Sequence, residues 1–444
     1  MKKIMSTALL VSLTMALIVG CSGAKTSVTQ QPDSGGKKEA QAAKKDVTVK
    51  LTIWGNENYK KQVEDAAKDF NVKYPNIKVD VMLIPITDYP QKLSIMIASK
   101  TAPDLAWMNY RIAPQFIEAN QLADVAADLK KDPEYNFADQ SQAGFVPLTR
   151  GDKIYGAPFL NMPKVLFFNK TLFKEKGLKN PLELYKEGNW TYEEFLKAAK
   201  AISDPSKGIY GANLVTANGW KAWPDTLIDT IWAYGGDFIS ADGKKLVMNT
   251  PEGEKALQLF SDMMFKDQIH PKPGDQTTFE SGKIGMNRHN YGYVDVIRKN
   301  VTNFEWDVAP MPKGPVKDAP VADGLAGYSI LQDSKHKEEA LLFLKYMTGN
   351  EGMKKMASLF VPNRMSVLES GALTDGFNAP SKEGIKAAVI GPLSPGGSKT
   401  APSHNNWQQI DVKTQTILDM LYTKSASVKD VLNKMETEIN PLLK

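Results

Sequence analysis

Aromatic, amide and guanidinium side chains gather at a few points along this 444-residue chain. Trp54, Asn56 and Glu57 fall within Trp54-Gly55-Asn56-Glu57-Asn58, and Asn109, Tyr110 and Arg111 are consecutive. A third group, Arg288 and Asn290, follows the short apolar run Ile284-Gly285-Met286. Rings pack flat against C–H faces, while amides, carboxylates and guanidinium groups hydrogen-bond to hydroxyls. Side chains of this make-up suit a polyhydroxylated ligand, bonded at its edge and stacked on its faces. A neutral ligand of that kind needs no strong charge in the protein.

Other chemistries leave no comparable trace. His270, His289, His336 and His404 are scattered and lack the spacing of metal ligands. There is no Gly-x-Ser-x-Gly elbow, no His-Glu-x-x-His helix and no phosphate-binding loop. Neither a metal nor a cofactor is expected. A glycoside hydrolase needs only two carboxylates, and acids are plentiful, so an anchored polysaccharide hydrolase is the alternative from another class. The net charge of +5 becomes +3 without Lys2 and Lys3, too near neutral to indicate nucleic acid.

The chain start predicts export. Lys2 and Lys3 precede an uncharged apolar run from Ile4 to Val19, the layout of a secretory signal. The run is short for a membrane span, which needs about 20 apolar residues. Ile18-Val19-Gly20-Cys21 resembles the bacterial lipobox, which implies removal of residues 1–20 and acylation of Cys21. Cys21 is the only cysteine, so an internal disulfide is excluded. One acyl chain anchors weakly, so several are expected. Residues 21–46 are polar, with Gln30-Gln31-Pro32-Asp33-Ser34-Gly35-Gly36 at their centre, and read as a flexible tether.

The remainder, 47–444, is long for one core and predicts two domains. Its 42% apolar and 24% charged residues (counted over the whole chain) are those of a globular protein. Val47, Val49, Leu51 and Ile53 alternate as a strand. Val63, Ala66, Ala67 and Phe70 mark a helix that Pro75 stops. Ile77, Val79, Val81 and Leu83 form a second strand, so the unit is βαβ with parallel strands. Leu93–Ala98 reads as a helix and Leu105–Met108 as a short buried strand. In an open α/β sheet, ligands sit beyond the carboxyl ends of the strands. Trp54–Asn58 and Asn109–Arg111 occupy two such ends.

Further on, Tyr155–Asn161 and Val165–Phe168 read as separate extended stretches. Thr191 and Glu194 suggest a capping box for a helix with Phe195, Ala198, Ala199 and Ile202 inward. Pro251–Met264 and Glu338–Tyr346 are expected as helices and Ile284–Met286 as a strand. Pro310–Pro320 is a connector, and Val412–Leu443 is largely helical.

The order of motifs resembles the family 1 extracellular solute-binding proteins. The resemblance rests on Phe70-Asn71-Val72-Lys73-Tyr74-Pro75-Asn76-Ile77, on Ala102-Pro103-Asp104, and on Gly151-Asp152-Lys153-Ile154-Tyr155-Gly156. Phe168-Asn169-Lys170, Gly282-Lys283-Ile284-Gly285-Met286 and Val308-Ala309-Pro310-Met311-Pro312 extend it across nearly all of 47–444. It implies an α/β, two-lobe, periplasmic-binding-protein-like fold with a ligand cleft between lobes joined by crossing strands. The expected lobes are 47–158 with 310–360, and 159–309 with 361–444.

It also implies function. Such a chain captures a sugar or oligosaccharide as the extracellular subunit of an ABC importer, a monomer that hands its ligand to permease subunits. Position by position, the resemblance adds Asn161 on the first crossing and Asp323 on the return strand. It adds Trp220 and Trp223 in an aromatic segment, Tyr291 at a ligand-stacking position and Trp407 as another ring near the ligand. For Trp54, Trp223 and Trp407 a packing role is the competing reading, for Asn161 a structural hinge role, for Asn56 and Glu57 a solvated turn and for Arg111 a surface charge. Other ligands would need other groups: inward acids such as Glu57, Asp225 and Asp323 for a polyamine, Arg111 and Arg288 for a phosphate ester or acidic sugar.

Overall fold

The computed structural model describes residues 45–215, 223–394 and 396–444. Cys21, the expected leader, nearly all of the tether and Trp220 lie outside the described residues.

Strand β1 (Val47–Trp54) buries Val49, Leu51 and Ile53 completely. Helix α1 (Glu57–Lys73) starts where the Asn56 side chain accepts the Tyr59 N–H, and lays Val63, Ala66, Ala67 and Phe70 inward. Strand β2 (Ile77–Ile84) runs parallel to β1, with Val47 opposite Ile77 and Trp54 opposite Ile84. After α2 (Tyr89–Ala98), strand β3 (Leu105–Asn109) joins the other side of β1, again parallel. The expected βαβ repeat is present.

Later elements are β4 (Ala157–Asn169), α3 (Tyr192–Ile202), β5 (Tyr210–Asn213), α4 (Trp223–Tyr234) and α5 (Pro251–Phe265). Strands β6 (Ile284–Asn290), β7 (Trp306–Ala309) and β8 (Val321–Ile330) follow, then α6 (Lys337–Met347), β9 (Ser398–Lys399), α7 (Trp407–Tyr422) and α8 (Val428–Ile439). The sheet order is β2-β1-β3-β8-β4-β6-β5, with β7 also on β4 and β9 also on β8. It is mixed, because β8 lies antiparallel to both β3 and β4.

Three local expectations change. The stretches at 155–161 and 165–168 are one strand, the thirteen-residue β4. Two prolines obscured it, since proline cannot donate to a ladder and is confined to edges or irregular points. Pro158 faces Gly327 beside a register shift, and Pro163 stands where β4 changes partners. From 157 to 163 its neighbour is β8, and from 164 to 169 its neighbours are β6 and β7. Strand β6 continues past Met286 to Asn290 because it pairs with β4 as far as Lys164. At α3, Thr191 accepts the Glu194 N–H, but the Glu194 carboxylate turns to Lys197, so only half of the capping box forms.

The cores divide along β4. Phe159 and Leu160 pack with Leu51, Phe116, Tyr328 and Phe343 in one core. Beyond Pro163, Leu166 and Phe168 face a second core with Phe195, Leu227, Phe260 and Ile417. Val165 and Phe167 face a third, with Ile284, Ile297 and Val308. Period-two alternation with both faces buried makes this half of β4 apolar throughout.

Candidate functional site

The registers place the expected residues on one row across the sheet. Asn109 lies opposite Ala326, and the Tyr110 N–H donates to the Leu325 carbonyl at 3.1 Å. Leu325 lies opposite Asn161, Gly324 opposite Met162 and Asp323 opposite Pro163. One residue on, Lys164 lies opposite Asn290. Trp54 ends β1, the strand beside β3. Strand ends from both sides of the β4 changeover therefore meet here.

Several side chains on the row serve the protein itself. Trp54 is packed edge-on against Tyr89 and Trp107 at 5.1 and 5.3 Å. The Asn56 oxygen caps α1, and Glu57 is exposed on an open groove beside β2 rather than on the row. The Asn109 oxygen accepts the N–H groups of Arg111 and Ile112, at 2.9 and 3.2 Å, and so shapes the turn. Asn161 is buried, and its amide donates to the Pro362 carbonyl and the Asn363 oxygen at 3.3 and 3.1 Å.

Arg288 is turned into the protein. It is 3% exposed and bonds Asp229 of α4 through Nε at 3.2 Å and Nη2 at 2.6 Å. Trp223 is fully buried, donates to Asp411 at 2.7 Å and stacks on Trp407 with centroids 5.8 Å apart. Tyr291 packs in the third core, where burial pushes its hydroxyl up to about 12 against the opposing influence of Arg298.

Of the other expected residues, Tyr110, Arg111, Asp323 and Asn290 lie on or beside the row, while Trp407 starts α7 and packs in the second core. The Arg111 Nε donates to the Tyr110 hydroxyl at 2.9 Å, and the guanidinium lies 5.3 Å from that ring. The Tyr110 ring comes from the end of β3 yet packs with the second core. The Trp407 Nε1 has no partner among the described residues. Asp323 accepts the Met162 N–H at 2.6 Å. No group of three or more metal-ligating side chains occurs among the described residues. Rings, amides and a carboxylate, drawn from both sides of the β4 changeover, are groups that can hold a polar ligand.

The family of bacterial extracellular solute-binding proteins matches residues 54–354. The chain belongs to that family. It is 23% identical over 397 residues to a putative binding protein of Brucella abortus, covering 86% of this chain and 89% of that one. The diacetylchitobiose binding protein DasA of Streptomyces coelicolor is 23% identical over 461 residues, covering 100% and 99%. Among solved structures, an ABC substrate-binding protein of Listeria monocytogenes in complex with cycloalternan superposes with a TM-score of 0.76. It is 22% identical and covers 89% of this chain and 98% of that one. The architecture is thus the two-lobe fold of this family, with the cleft between lobes joined by crossing strands.

In this solute-binding protein some interactions carried little sequence signal. Lys164 is buried opposite Asn290, and the clue was a lone charge in an apolar strand. His289 stacks on Tyr293 at 4.2 Å; burial first, then the Lys164 cation, holds its imidazole down at about 4. Trp232 donates to Asp237 at 2.9 Å beneath the Lys399 ammonium, which sits 4.8 Å from its ring. His270 is fully buried. Its Nε2 accepts the N–H groups of Leu214 and Val215 at 2.9 and 3.1 Å, so Nδ1 carries the proton and donates to the Pro271 carbonyl. That imidazole fixes the exit of β5, at the point where the chain leaves for Trp220.

Proposed function

We propose that this chain captures a sugar or short oligosaccharide outside the cell and delivers it to the permease of an ABC importer. The observation that supports the reading is the row of strand ends, which runs from Asn109 and Tyr110 at the end of β3, across β8, to Lys164 and Asn290 beyond the β4 changeover. Rings for C–H faces and polar groups for hydroxyls are the requirements of a sugar. DasA and the Listeria protein are named for saccharide ligands, which agrees with this assignment. A ligand that touches both lobes only when they close favours the closed state.

The rest of the reading follows the sequence. Residues 1–20 are a leader, Cys21 carries the lipid, and the tether holds a monomeric binding domain at the outer face of the membrane. No helix among the described residues is long and apolar enough to cross a membrane. The lobes are taken as 47–158 with 310–360 and 159–309 with 361–444; separate cores support a division in two, although the first core reaches past 158 to Phe159 and Leu160. The chain acts without catalysis.

Thermal shift of residues 21–444 against maltose, diacetylchitobiose, uronic acids, polyamines and divalent metals tests the proposal. A saccharide should raise the melting temperature, be recovered unchanged, and lose its effect in Trp407→Ala. A shift with a polyamine or metal alone would overturn the ligand class, and consumption of the saccharide would establish a hydrolase.

A further inference from the structure

Two lobes that share strand β4 can move against each other only where that strand yields. Residues 157–163 belong to the ladder with β8, and residues 164–169 to the ladders with β6 and β7. Pro163, at the junction, has no N–H to donate. Its opposite residue on β8 is Asp323. The Asp323 side chain bridges this point: Oδ1 accepts the Met162 N–H at 2.6 Å, and Oδ2 accepts the Ser398 hydroxyl at 3.3 Å. Ser398 lies on β9, which pairs with the start of β8. The carboxylate therefore joins β4, β8 and β9.

A backbone carbonyl in this position would be fixed by its own strand. A carboxylate on two rotatable bonds keeps its hydrogen bond while the strands rotate. Met162, whose N–H Asp323 accepts, packs closely against two glycines. A methyl group on Gly324 would come within 3.3 Å of the Met162 Cβ, and one on Gly292 within 2.6 Å of its Cε. Gly324 on β8 and Gly292 just beyond β6 therefore flank Met162, and a side chain at either would crowd it.

We infer that Asp323 is a positioning residue for lobe closure, a swivel at the Pro163 junction that sets the distribution between open and closed states. The inference rests on hinge closure as the mode of capture and does not depend on which solute is captured. Its test is therefore made without ligand. In the mature chain, residues 21–444 with Cys21→Ser, fluorophores at Val72→Cys and Val412→Cys report the distance between lobes; both positions are exposed. Hydrogen exchange reports the Met162 amide.

Asp323→Ala should broaden or shift the ligand-free distance distribution and speed Met162 exchange about ten-fold or more, the loss expected for a charge-assisted bond. Asp323→Asn keeps an acceptor oxygen and should restore most of both. Gly324→Ala should narrow the distribution. A lower melting temperature in Asp323→Ala with distances and Met162 exchange unchanged would overturn the inference. So would equal effects of Ala and Asn. Should Asp323→Ala not fold, the Asn and Gly324→Ala variants decide by the same two readouts.

Discussion

The pair Arg288–Asp229 is the clearest case of a residue whose type suggested ligand binding and whose place forbids it. Both side chains are about 3–4% exposed and doubly bonded to each other. Removing one partner leaves a buried charge alone, so Arg288→Ala should cost about 3–5 kcal/mol in urea unfolding. Replacing both by apolar residues of similar volume should recover most of that loss. His270 gives a second prediction at this scale. Burial holds its pKa at about 4, against 6.5 in the unfolded chain. The unfolded state therefore binds the proton more readily, and stability is lost as pH falls from about 6.5 towards 4. The slope approaches about 1.4 kcal/mol per pH unit for this one group. Melting curves between pH 7.5 and 4.5 should flatten in His270→Asn, and an unchanged slope would assign the acid sensitivity elsewhere.

Among elements, α1 and β4 mark the limits of sequence reading. Strands β1 and β2 and the core face of α1 were legible because Val49, Leu51, Val63, Ala66 and Phe70 repeat with clean periods of two and three to four. Asn56 was legible as polar but not as a cap, because an asparagine before a helix has the same sequence whether it meets solvent, ligand or backbone. Asn56→Ala should cost about 1 kcal/mol of stability and leave saccharide affinity unchanged, which separates the two roles in one titration. Strand β4 was misread for a physical reason. Its prolines are tolerated at a bulge and at a change of partners, and neither is visible without knowing the partner strands. The row of strand ends followed from the α/β rule, whereas the inward turn of Arg288 and the diversion of Asn161 to Asn363 depend on contacts 59 and 202 residues apart in the chain.

At the scale of the whole molecule, both lobes hang on one sheet that runs through β4 and β8. A saccharide at 100 times its dissociation constant should add about 2.7 kcal/mol of stability. A ligand that contacts both lobes, as proposed, should move a single thermal transition as a whole, because the strands are shared. Two transitions of which only one moves would mean that the site lies within one lobe. Removing Cys21 by Cys21→Ser should release the protein from the membrane fraction while leaving this ligand-induced shift intact.

Strand β8 has one more consequence. It sits between β3 and β4, although some 150 residues separate the end of β4 from its start. A polypeptide emerging from the ribosome up to residue 320 holds β1 to β4 but lacks the strand that joins β3 to β4. The N-terminal lobe therefore cannot complete itself early in synthesis, and contacts closed over so long a loop form slowly. A chain exported as proposed above would be threaded through a secretion channel before it folds, and its own strand order supplies that delay.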